Sequence, residues 1–156
     1  MAQFTSGTPN TFTPTASTTN INSWVLTVLT AGQIAYVKMF NWGGASLTST
    51  AYVTQWARVT NTPATPTAYN IGKTNPLTSA IATCNTYSTA ATATADSYLY
   101  KQSWNLLGGG GAIVLPIGGE WMVSGGALGQ TYNQIGCGNI TGADANASSY
   151  GVQWAE

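Results

Sequence analysis

The sequence predicts an all-β fold: an antiparallel β-sandwich, jelly-roll-like, with eight or nine short strands and no significant helix. Three observations carry that prediction. Apolar and polar residues alternate with period two, as over residues 97–104 and 150–154, the mark of a half-buried strand. Glycine and proline, 18 and 6 of them, separate these stretches at short intervals, as turns between strands require. The one alanine-rich run, residues 90–95, is interrupted by threonines and has no apolar stripe, so helix is a poor reading of it.

In chain order, residues 1–20 are Thr, Ser, Pro and Asn with Phe4 and Phe12 as the apolar anchors. Pro9 and Pro14 oppose helix there. Two readings stand for this stretch. One is a floppy terminus. The other is an extended arm that lies on a neighbour, with Phe4, Phe12 and Pro14 as its contacts. The sandwich proper is expected over residues 21–156. Its first strand is Trp24-Val-Leu-Thr-Val-Leu29, rich in β-branched residues. After Gly32, residues 34–40 put Ala35, Val37 and Met39 on one face. Ile34, Tyr36, Lys38 and Phe40 take the other. Residues 51–59 place Val53 with Ala51, Gln55, Ala57 and Val59, opposite Tyr52, Trp56 and Arg58.

The Pro-punctuated stretch 60–95 suggests short strands at 68–71 and 78–83, then an exposed loop over 90–95. Alternation resumes at 97–104 with Tyr98, Tyr100 and Trp104. Gly108 to Gly111 read as a flexible hairpin turn. Strands at 113–115 and 121–123 are joined through Pro116-Ile-Gly-Gly119, a further strand is expected at 130–135, and the chain closes on 150–154. The predicted core is Trp24, Leu26, Val37, Met39, Val53, Tyr98, Tyr100, Trp104, Val114, Val152 and Trp154.

Composition bounds what such a fold does. The chain has 156 residues, which suits one domain. It is 44% hydrophobic, with six Trp and eight Tyr, too much burial potential for a disordered chain. Only 5% of residues are charged, against about 25% in ordinary domains. Four cations balance four anions, so little electrostatic repulsion opposes association. Four scattered cations cannot neutralise a row of phosphates, which argues against a nucleic-acid partner. No stretch is long and apolar enough for a membrane helix. The first residues lack the basic start and apolar middle of a signal peptide. Cys84 and Cys137 have no metal-type spacing and no His to join them. They are read as separate buried thiols or, in an oxidising setting, as a disulfide.

Candidate chemistry is sparse. Without His the commonest general base is absent, and no G-x-S-x-G elbow is present. Paired-carboxylate chemistry would need Glu120 to meet Asp96 or Asp144 in space. Gly142-Ala-Asp144-Ala-Asn146 offers alternating oxygen ligands but falls short of a calcium loop. Gly108 to Gly111 lack the Lys and Ser/Thr of a phosphate loop. Trp42, Trp56 and Trp121 are candidates for stacking on sugar rings, and equally for core. The expectation is no enzyme and no cofactor or metal.

The order of certain segments adds a resemblance. Ile34-Ala-Tyr-Val-Lys-Met-Phe40 leads through glycine to a strand ending Trp56-Ala-Arg58. A Pro-rich connector follows, then Gly110-Gly-Ala-Ile-Val-Leu-Pro116 with Gly119-Glu120, and a closing Val152-Gln-Trp154-Ala-Glu156. Over about residues 34–156 this resembles small virion proteins of tailed bacteriophages, especially the capsid cement (decoration) proteins of freshwater cyanophages. The resemblance implies a jelly-roll-like sandwich made in the bacterial host cytoplasm. It implies homotrimers on the outer surface of the icosahedral shell, clamping neighbouring major capsid proteins. It offers no catalytic residues. A rival reading is a phage tail, fibre or surface module that binds receptor glycans.

Overall fold

A computed structural model of the chain describes residues 1–7, 20–21, 24–44, 49, 51–59, 66–68, 70–87, 91–105, 107–126, 133–139 and 148–156. Among these residues every regular element is a strand. They are β1 (Gln3–Gly7), β2 (Asn20–Ile21), β3 (Trp24–Val28), β4 (Ile34–Gly44), β5 (Ala51–Val59), β6 (Pro66–Ala68) and β7 (Gly72–Lys73). β8 (Ala82–Tyr87), β9 (Ala91–Asn105), β10 (Gly110–Val114), β11 (Trp121–Ser124), β12 (Gln134–Asn139) and β13 (Ser148–Ala155) complete the set. They form two antiparallel sheets packed face to face. The first runs β10-β4-β13-β1-β7, with β11 also on β4; the second runs β2-β9-β5-β12-β3-β8-β6.

No two consecutive strands pair among the described residues. The chain crosses from one sheet to the other at most connections. Gly108 to Gly111 are therefore not a hairpin turn: they carry the chain from β9 in the second sheet to β10 in the first. Nor do β10 and β11 form a hairpin. Both pair with β4, β10 against Met39 to Gly43 and β11 against Ile34 to Val37. They are one line of strand, interrupted by a loop over residues 115–120.

The core is aromatic. Trp24, Trp56 and Trp154 are wholly buried, as are Leu26, Val37 and Phe40, with Val152 nearly so. The Phe40 ring stacks on Trp121 at 4.5 Å and lies 5.1 Å from Trp56. Trp56 in turn meets Trp24 edge to face at 5.9 Å. Tyr100 and Trp104 are half-buried and pack against this cluster. Such ring pairs contribute about 0.5–1.5 kcal/mol each beyond their buried area.

Several sequence expectations need correction. Met39 is only half-buried, because β4 carries a bulge. Val37 pairs with Trp154 and Met39 with Gln153, which leaves Lys38 without a partner on β13. The extra residue shifts the two-residue period, so Ala35 and Val37 point inward before it and Phe40 and Trp42 after it. Val53 is half-buried because Tyr52, Thr54 and Trp56 take the inner face of β5. Val114 is 73% exposed on the outside of β10; its neighbour Ile113 packs on the core instead. Residues 91–95, expected as loop, are the start of the long strand β9. The backbone of Tyr98 sits in β9 opposite Ala57, and its side chain lies outside the described ones.

The arm is also corrected at its start. Residues 3–7 form β1 inside the first sheet, between β13 and β7. Phe4 is 2% exposed and stacks on Trp154 at 5.7 Å. It is a core residue of its own domain and has no surface to offer a neighbour. Phe12 and Pro14 lie outside the described residues.

Candidate functional site

The two sheets differ in what they leave open. In the second sheet the middle strands are buried on both sides. All five residues of β3 are buried, and β5 hides Gln55 and Ala57 as well as Tyr52 and Trp56. In the first sheet the inner face meets the core and the outer face is open. That outer face is the candidate site.

Strand alternation decides its membership. On β1, Phe4 and Ser6 point inward, so Gln3 and Thr5 point out. On β13, Tyr150, Val152 and Trp154 point inward, so Ser149, Gly151 and Gln153 point out. The β4 bulge turns both Lys38 and Met39 outward, followed by Asn41. On β10 and β11 the outward residues are Ala112, Val114 and Met122. Register brings Val114 beside Met39 and Met122 beside Tyr36.

The face has two halves. One is polar and uncharged. A shallow hollow of about 430 Å³ is lined by Thr5, Asn41, Asn70, Gly72, Ser149 and Gly151, among others. Its floor stays low because Gly151 leaves room for Asn41: a Cβ there would come within 2.4 Å of Asn41 Oδ1. A second hollow of about 260 Å³ lies between Gln3, Thr5, Lys38, Thr74 and Gln153. The other half is apolar, with Val114 73%, Met122 45% and Ile117 98% exposed.

Between the halves stands one ion pair. Lys38 Nζ donates to Glu120 Oε1 at 2.5 Å. The Lys38 ammonium also lies 5.9 Å from the centre of the Tyr36 ring. Glu120 closes the 115–120 loop by accepting from the Gly118 N–H at 2.6 Å. The Lys38 hydrogen bond, with the backbone N–H groups of Glu120 and Gly118, holds this carboxyl below its ordinary range. Gly119 N donates to Pro116 O, and Gly118 has φ +84°. That is the left-handed position of a type II turn, which glycine fills without strain. The turn thrusts Ile117 into solvent.

The other sequence candidates fall elsewhere. Trp42 and Trp56 are 9% and 0% exposed, and Trp121 is half-buried against Phe40. Glu156 is a clasp: it accepts from Ala82 N of β8 in the second sheet, from Ile81 N just before it, and from Trp154 Nε1. Asp144, Asn146 and the side chain of Asp96 lie outside the described residues. Among the described residues no three His, Cys, Asp or Glu side chains gather as a metal group would need. Cys84 and Cys137 are separate buried thiols. Burial pushes both well above an ordinary thiol, with Ser6 opposing and Glu156 adding to the shift at Cys84.

Sequence reasoning did not find this face. Its members, Asn41, Ser149, Gly151 and Thr5, are ordinary polar strand residues. The available signal was the uncharged outer set of β1 and β13, which alternation identifies; on β4 the bulge at Lys38 conceals it. Compared with known proteins, the chain matches no family model, no curated protein and no solved structure.

Proposed function

We propose that this chain is a structural protein of a virion, a capsid cement that docks on the outer surface of a shell and holds neighbouring shell subunits together. The observation that carries this reading is the open outer face of the β4 sheet, polar and uncharged on one half and apolar on the other. Its central charges, Lys38 and Glu120, neutralise each other. Such a face recognises a protein surface through hydrogen bonds and apolar contact. Many copies on a repeating shell need only modest affinity each, because multivalency multiplies binding by roughly 10²–10⁴. The resemblance of the sequence to phage cement proteins agrees with this reading. So does a rigid aromatic core behind the face, which resists deformation.

The rival glycan reading wants aromatic rings exposed for stacking. Trp42 and Trp56 are in the core, which favours docking on protein. The test is the molar ratio of this chain to the main shell protein in purified particles. A fixed ratio, amounting to hundreds of copies per particle, is the expected result. A chain absent from particles, or positive on a glycan array, sinks the proposal. Gln153→Arg, an exposed change on the central strand β13, should lower occupancy without lowering the melting temperature. Unchanged occupancy excludes this face as the docking surface.

A further inference from the structure

Sheet edges attract other strands, and proteins usually guard them with Lys, Pro or a bulge. Three of the four ends here carry a guard: β6 has Pro66, β7 has Lys73, and β2 is an edge strand of only two residues. The β10 edge carries none. Its residues are Gly110, Gly111, Ala112, Ile113 and Val114, all exposed except the half-buried Ile113. No described strand lies on its outer side.

We propose that β10 is a self-association edge, which pairs antiparallel with β10 of a second copy about a twofold axis at Ala112. The backbone fixes the register. Gly44 N donates to Gly109 O and Leu115 N donates to Lys38 O. Odd-numbered residues of this stretch therefore face β4, and Gly110, Ala112 and Val114 turn their N–H and C=O outward. Centring the pair on Ala112 sets Ala112 against itself and Val114 against the partner's Gly110. Every outward-facing group of β10 then has a partner. Registers centred on Gly111 or Ile113 leave some of them unpaired.

Side chains agree with the same register. The strand is small at one end and large at the other, so antiparallel pairing lays Val114 and Ile113 beside the glycines of the second copy. Gly111 cannot take a side chain in any case, because a Cβ there would come 2.9 Å from Trp42 Cζ2. Beyond the strand, the register brings the Leu107 end of one copy to the Ile117 end of the other. These residues are 54% and 98% exposed, and pairing gives both an apolar neighbour. No like charges meet, since β10 has none. A twofold pair also differs from the trimer that the resemblance implies.

The test is cysteine cross-linking of the purified full chain. Directly opposed residues of a bonded pair have Cα atoms about 5.5 Å apart, within disulfide reach. Ala112→Cys should give a disulfide-linked dimer on mild oxidation. Val114→Cys should not, because the two copies of residue 114 stand about 13 Å apart along the pair. The native thiols are buried and stay out of the reaction. Ala112→Pro, which removes an edge-facing N–H and no bond to β4, should turn a sedimenting dimer into monomer. Equal cross-linking at both positions, none at 112, or a wild-type monomer or trimer in sedimentation overturns the pairing. Should Ala112→Pro fail to fold, the two cysteine variants still decide. Particle occupancy is a separate readout, so this pairing can fail while docking stands.

Discussion

Gln55 sits on β5 with none of its surface exposed, and neither amide atom has a hydrogen-bond partner among the described residues. An unsatisfied buried amide carries a desolvation cost of about 1–3 kcal/mol. Gln55→Leu keeps the approximate volume and removes the polar atoms. It should raise stability by about 1–2 kcal/mol in urea melts; a less stable variant would show that the amide has a partner. Phe4 behaves in the opposite way. Its ring fills a site against Trp154, and Phe4→Ala should lose about 3–5 kcal/mol, read by the same melts. An unchanged midpoint would mean that Phe4 is not packed in solution. At Glu156 the carboxylate serves three donors, one in each sheet and one just before β8. Glu156→Ala leaves them without it and should lower the melting temperature by about 5–10 °C, at about 2–4 °C per kcal/mol for a domain of this size.

The 115–120 loop is the element most open to solution conditions. Its Glu120 titrates below the ordinary 4.5 because Lys38 and two backbone N–H groups favour the charged form. The folded value is thus lower than the unfolded one. The stability it contributes is present above about pH 4.5 and is lost as pH falls through the folded value. The protection of the Gly118 and Gly119 amides, relative to their intrinsic exchange rates at each pH, should therefore fall in acid, with that of the core strands unaffected in the same window. Lys38→Met should shrink that pH dependence, leaving the part due to the backbone N–H groups, and Glu120→Gln should abolish it; its persistence in Glu120→Gln would assign the closure to another group. The loop exists because β10 and β11 share one edge of β4 and the chain between them is too long to stay in line.

Across the whole molecule, connectivity dominates. Every described strand pair joins segments distant in sequence. Loop closure must precede nearly all pairing, so refolding should be slow, in the range of milliseconds to seconds or longer. A microsecond phase accounting for all native signal would contradict the topology. The position of β1 has a practical consequence. Deleting residues 1–7 removes an interior strand of the first sheet, and should unfold or grossly destabilise the domain. Docking by an uncharged face should also be insensitive to salt, checked by particle occupancy at low and high ionic strength.

Alternation and composition determined the all-β class, the antiparallel habit, and the burial of Trp24, Leu26, Val37, Val152 and Trp154. They did so because a strand reports its own inner face with period two. That signal ends where a bulge intervenes: one extra residue at Lys38 exchanged Met39 for Phe40 in the core, and nothing local to β4 announces it. Which strands are neighbours, that β1 lies within a sheet, and that the outer face of the β4 sheet and the edge of β10 stay open were decided only in three dimensions. Pairing between distant segments is settled by how two faces fit, and no single stretch of sequence contains both.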